Sequence, residues 1–151
     1  MSNIPRPMFI KMKMEYPTGS AEDVFSAIGG KVKANNFTNS CAVRISKALN
    51  YSGHPISYIP PNLTVSGDDG LWYIYRVTEM IKYLTNKFGP PDIIIKNKPY
   101  QSALRGKKGI IVFEVDAWDD ASGHATLWDG NFCSDKCYFD LSKKVMLWSL
   151  K

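Results

Sequence analysis

Cys41 and His124 are the residues of this chain whose types and settings could do covalent chemistry. A cysteine that opens a helix holds its sulfur against free N–H groups and partial positive charge, which favours thiolate over thiol. Asn39-Ser40-Cys41 supplies that setting, because Ser40, or Asn39 one residue earlier, can cap a helix running through Ala42, Ile45, Ala48 and Leu49. An unperturbed thiol is only a few per cent ionised at neutral pH, so the placement matters for a nucleophile. His124 follows Gly123, where the missing side chain lets another backbone or a substrate come close. Taken alone, each residue reads more readily as structure. Cys41 would be a small core residue packed with Ala42 and Ile45, and His124 a satisfied histidine at a sheet edge.

Together the two point elsewhere. A cysteine opening a helix, and a much later histidine opening a strand of the sheet packed on that helix, is how papain-like enzymes bring thiolate and imidazole together. The histidine takes the thiol proton and returns it to the leaving amine. The other histidine, His54, sits in Ser52-Gly53-His54-Pro55, which reads as a surface turn.

A third polar group should hold the imidazole through its other ring nitrogen. The candidates are Asp119, Asp120, Asp129, Asp135 and Asp140. Asp129 lies five residues along the same strand, roughly 16 Å away at strand rise and on the other face, and is a poor choice. Asp119 and Asp120 precede the strand in a loop and stay open. Asp135 lies beyond the Asp129-Gly130 turn, where the chain returns alongside His124, and is the preferred residue. It stands between Cys133 and Cys137. A bridge between these would pin its loop, contributing only roughly 2 kcal/mol in the chain-entropy picture, and the compartment decides whether it forms. Two thiols four apart are too few ligands for a zinc site.

These residues need elements to carry them. Pro5, Pro7 and Pro17 make the stretch to about Gly19 irregular. Ser20 caps a first helix with Asp23 at the capping-box position; Val24, Phe25 and Ile28 share a face, and Gly29-Gly30 ends it. The Cys41 helix closes at Asn50 to Gly53. Asp68-Asp69-Gly70 is expected to cap a third, longer helix with Val77, Met80, Ile81, Leu84 and Phe88 as its buried stripe, stopped by Gly89-Pro90-Pro91. Then the period changes. Gly109 to Val115 follows the turn Arg105-Gly106-Lys107-Lys108 as a β-rich run, Gly123 to Trp128 alternates, and Lys143 to Leu150 is the final strand. Helices followed by an antiparallel sheet are the α+β pattern.

With 151 residues, 44% of them hydrophobic and 22% charged, the chain is expected to form a single domain over residues 1–151. Apolar runs of four or five residues are far short of a membrane span, and no signal peptide is evident behind Met1. The net charge of +5 is scattered over lysine pairs, with no zinc-finger spacing or RNA-recognition motif, so nucleic acid is not the expected partner. An anionic polymer such as cell wall suits the same charge.

Asn39-Ser40-Cys41-Ala42-Val43-Arg44-Ile45-Ser46-Lys47-Ala48-Leu49, Gly123-His124-Ala125-Thr126-Leu127-Trp128-Asp129-Gly130 and Cys133-Ser134-Asp135-Lys136-Cys137 resemble the fourth family of type VI secretion amidase effectors, in the NlpC/P60-like branch of papain-like peptidases. The likeness runs from about Ser20 to the end. It implies Cys41 as nucleophile, His124 as base, Asp135 as the orienting acid, a Cys133–Cys137 disulfide, and no cofactor or metal. It also implies cleavage of peptidoglycan stem peptides between D-glutamate and meso-diaminopimelate. The toxin would be made in the producer's cytoplasm, carried by the type VI machinery without a signal peptide, and active in the periplasm of the target cell. A cognate immunity protein would block it in the producer. The backbone N–H of Cys41 is expected in the oxyanion hole, with Asn36 or Asn39 as candidate second donors. The rival readings are a deamidase or transglutaminase-like toxin acting on protein glutamine, and a non-catalytic wall-binding module.

Overall fold

In the computed structural model, residues 5–35, 37, 39–115 and 123–151 are described. Phe9 and Met12, one helical turn apart, bury one side of a short helix, α1 (Phe9–Glu15). This corrects the expectation of an irregular start. The prolines flank the helix instead of interrupting it, and the Phe9 N–H donates to the Lys151 carbonyl at 2.8 Å, tying the two chain ends. Ser20 caps α2 (Ala21–Ile28) as expected, its hydroxyl accepting from the Asp23 N–H at 3.1 Å. Gly29 ends α2, and a further short helix, α3 (Gly30–Ala34), follows. α4 (Cys41–Asn50) is buried along almost its whole length.

The start expected for the third long helix is wrong. Residues 68–70 form a turn, flanked by a two-stranded antiparallel ribbon of β1 (Thr64–Ser66) and β2 (Trp72–Ile74). The Asp69 carboxylate accepts from the Tyr51 and Tyr73 hydroxyls, each at 2.6 Å, and from the Leu71 N–H, so it caps no helix. α5 (Val77–Phe88) begins only after the ribbon, and it does bury Val77, Met80, Leu84 and Phe88.

β3 (Ile93–Ile95) and the short α6 (Tyr100–Leu104) precede β4 (Gly109–Glu114) and β5 (Gly123–Trp128); a 3-10 turn, Phe139–Leu141, leads into β6 (Lys144–Ser149). The sheet order is β3-β6-β4-β5, all antiparallel, with β5 at one edge. Both faces are covered. Ile110, Val112, Ala125, Leu127, Met146 and Trp148 pack toward α1, α4 and α5. Ile111, Phe113, Trp128, Val145 and Leu147 pack toward α6 and the segment around the 3-10 turn. A strand buried on both faces reads as a continuous apolar run, which is why β4 shows no alternation. The α+β architecture expected from the sequence is the one observed.

Candidate active site

Two elements bring the chemistry together: α4, which starts at Cys41, and the edge strand β5, which starts one residue before His124. Gly123 pairs with Glu114 of β4, and a Cβ at this glycine would lie 2.1 Å from the Phe113 carbonyl oxygen. The close approach inferred from Gly123 is therefore that of the neighbouring strand. Gly123→Ala is expected to cost about 3 kcal/mol by forcing the strands apart beside His124. An unfolding midpoint equal to the parent's would contradict that.

Beyond Asp129 the chain turns back along the free edge of β5. The Asp129 carboxylate accepts from the Asn131 and Phe132 N–H groups, and the Ser134 N–H donates to the Leu127 carbonyl at 2.9 Å. Cys133 forms a bridge pair with Trp128 and a disulfide with Cys137. The loop so closed delivers Asp135 to His124, with Nε2 to Oδ1 at 3.1 Å. Cys41 acts on the same ring, favouring its charged form through hydrogen bonding and charge. Asp135 holds Nε2, which leaves Nδ1 as the ring nitrogen for the sulfur. The Tyr138 ring stands edge-on to the imidazole, with centroids 4.8 Å apart.

The remaining candidates fall elsewhere. Asp129 caps its own turn, and Asp140 sits exposed in the 3-10 turn. His54 packs edge-on against Phe88 and is only partly exposed. Asp119, Asp120 and Asn36 lie outside the described residues. The Cys41 N–H donates to the Asn39 Oδ1 at 3.0 Å, so the donor expected to face the oxyanion is engaged by the Asn39 side chain. The Ser40 hydroxyl, the other candidate cap, accepts from the Arg44 Nε instead.

Sequence reasoning missed two contributors. Tyr16, just past α1, places its hydroxyl 3.2 Å from the Thr126 Oγ1, and the Thr126 hydroxyl is among the groups that lower the Asp135 carboxyl. With α1 unseen, nothing in the sequence links Tyr16 to β5. Arg44, buried one turn past Cys41, donates to the Pro17 and Gly19 carbonyls and holds the segment that follows Tyr16.

Burial opposes charge on His124, but the Asp135 hydrogen bond, then Cys41, outweigh it and hold the imidazole up at about 9. Burial likewise opposes charge on Asp135, yet His124, Thr126 and the Lys136 N–H together hold its carboxyl below the ordinary range. At neutral pH the ring therefore carries a proton that it could give to a leaving group. kcat/KM is therefore expected to fall as pH rises through about 9, and a profile flat to about pH 10 would contradict this. Stability carries the same sign. Because the folded value lies above the ordinary 6.5, the contribution of His124 is complete below 6.5 and disappears as pH rises through about 9, readable as a falling urea midpoint.

This geometry has close relatives. The family model for type VI secretion system amidase effector protein 4, Tae4, matches residues 37–148. No curated protein matches the chain. Among solved structures, Tae4 from Enterobacter cloacae is 38% identical over 100% of both chains, with a TM-score of 0.91. Tae4 from Salmonella typhimurium, solved with the immunity protein Tai4 from Enterobacter cloacae, is 41% identical over 97% of this chain and 100% of that one, with a TM-score of 0.90. The Tae4–Tai4 complex from Salmonella Typhimurium gives 42% over 97% and 99%, with a TM-score of 0.88. A family model spanning most of the chain, and relatives this similar over their full length, establish that the chain belongs to the type VI secretion amidase effectors of the fourth family.

Proposed function

We propose that this amidase is a DL-endopeptidase that cuts the D-glutamyl–meso-diaminopimelate bond of peptidoglycan stem peptides, with Cys41, His124 and Asp135 as its catalytic triad. The observation that carries the reading is the His124 ring, bonded to the Asp135 carboxylate at 3.1 Å and held up at about 9 by Asp135 and Cys41 together. The Cys41 thiolate adds to the glutamyl carbonyl, forming a C–S bond and an oxyanion. Collapse of that intermediate breaks the C–N bond, and His124 gives its proton to the departing amine of diaminopimelate. A water then attacks the thioester carbonyl, His124 takes a proton from it, and the C–S bond breaks, returning the Cys41 thiolate and freeing the glutamyl acid, which loses its remaining proton to solvent. Asp135 keeps the ring oriented and stabilises its charged form throughout.

The domain spanning residues 1–151 would act in the periplasm of the target cell after leaving the producer's cytoplasm through the type VI machinery. A disulfide bracketing Asp135 fits an oxidising compartment. Solved Tae4 relatives are bound to Tai4 immunity proteins, which supports a cognate partner that covers Cys41 in the producer. Purified sacculi incubated with the protein and analysed by mass spectrometry test the reading. Stems severed after D-glutamate are expected. Intact stems, with protein glutamine converted to glutamate instead, would replace it by the deamidase reading.

A further inference from the structure

We propose that Thr126 and Tyr16 are positioning residues for this reaction, forming a hydrogen-bond relay that aims the Asp135 carboxylate at His124. The proposal rests on the triad reading above and deepens it. Thr126 follows His124 by two residues on β5, so their side chains stand on the same face of the strand. Thr126 is 0% and Tyr16 5% exposed, so both hydroxyls need partners inside the protein. Each has one proton to give, and counting protons sets every direction. Asp135, held below the ordinary carboxyl range, is ionised at neutral pH and can only accept. Thr126 stands on the His124 face of β5 and its hydroxyl is among the groups that lower the Asp135 carboxyl, so its proton is assigned to Asp135. That leaves the Thr126 oxygen as acceptor across its 3.2 Å contact, so Tyr16 is the donor. Burial first, and then the nearby Asp135 charge, push the Tyr16 phenol above its ordinary range and keep that proton in place.

The relay runs from Tyr16 to Thr126 to Asp135, which meets the His124 Nε2 from the other side. The bonds from His124 Nε2 and from the Lys136 N–H, at 3.1 and 2.6 Å, both end on Oδ1. A carboxylate held at one oxygen can swivel, and the hydroxyl from the strand edge restrains it. The donor end of the relay is anchored from the nucleophile's own helix. Arg44 holds the Pro17 and Gly19 carbonyls at 2.9 and 2.7 Å, directly after Tyr16. Lys13 of α1 reaches the Ser134 hydroxyl at 3.3 Å, next to Asp135. Position of the sulfur and aim of the carboxylate thus share one set of supports.

The test is kinetics of the full chain on stem peptides, with NMR of the Asp135 carboxyl carbon. Thr126→Val keeps the shape and removes the donor. It is expected to lower kcat by about tenfold with KM within about twofold, and Thr126→Ser to restore most of the loss. The Asp135 titration should move upward in Thr126→Val, because a donor to the ionised form is gone. Tyr16→Phe should lower kcat by about threefold, and adding it to Thr126→Val should cost nothing more, since its effect passes through Thr126. Parental kcat and parental Asp135 titration in Thr126→Val would overturn the relay while inactivity of Asp135→Ala leaves the triad standing. Parental kcat in Asp135→Ala would overturn the triad itself. Should Thr126→Val not fold, Tyr16→Phe decides, and unchanged kcat and titration there count against the relay.

Discussion

Cys41→Ala is expected to fold like the parent and to lower kcat for stem-peptide cleavage by about 10⁴-fold or more. Cys41 is 2% exposed and packed among apolar residues at the start of α4, so a methyl group in place of the thiol fits the same space. The contact at the helix start survives, because the Asn39 oxygen binds the backbone N–H of residue 41, not its side chain. Catalysis has no such tolerance, since no other cysteine is free among the described residues. Activity alone does not separate a nucleophile from a sulfur that merely fills the core. The imidazole does. Cys41 is one of the groups holding His124 up at about 9, through both a hydrogen bond and charge, so its removal should move the His124 titration downward. An NMR titration of His124 identical in the two proteins would mean that the sulfur and the ring do not interact, and the triad would fall with that result.

The sequence made α4 and β5 legible for the same physical reason that they form the site. α4 repeats its buried positions at helical spacing over ten residues, and β5 pairs with β4 along its whole length. Asp135 was legible as the residue that follows a tight turn and a cysteine, because a turn at Asp129-Gly130 must send the chain back along the edge of β5. The support around this site was not. α1 has seven residues between prolines, too short to hold its own helical form, and it forms because Phe9 and Met12 are buried and the Phe9 N–H finds the far end of the chain. β1, β2 and β3 have three residues each, too few for alternation to be read, and they exist through pairing with distant partners. Asp68 and Asp69 look like a helix cap, yet the acceptors of Asp69 are already filled by two tyrosine hydroxyls, one of them 18 residues upstream in sequence. Tyr16 and Thr126 meet across 110 residues of chain, and no spacing announces such a contact.

Asp135→Asn is the second large expected loss, about 10²- to 10⁴-fold in kcat with little change in KM. The amide has nearly the shape of the carboxylate, so the loop and its disulfide should keep their form. What changes is the count of charges and protons. The Asp135 Oδ1 accepts from both the His124 Nε2 and the Lys136 N–H. If the asparagine keeps its oxygen there, the amide N–H is turned toward Thr126, whose hydroxyl can no longer donate to residue 135 and must turn its proton back to the Tyr16 oxygen, reversing that hydrogen bond. If the amide flips, it presents N–H to His124, and the ring is driven to the tautomer with its proton on the sulfur-facing nitrogen. Neither arrangement carries the negative charge that stabilises imidazolium. The His124 titration should therefore fall from about 9, and the alkaline limb of kcat/KM with it. Stability should also lose its acid-side signature. A carboxyl depressed by its partners contributes stability above its unfolded value and gives it up as pH falls, so parent and variant should converge in urea midpoint at low pH and separate toward neutrality. A variant with parental kcat and an unshifted His124 titration would show that Asp135 neither orients nor charges the ring, and that the carboxylate completing this site must be sought elsewhere.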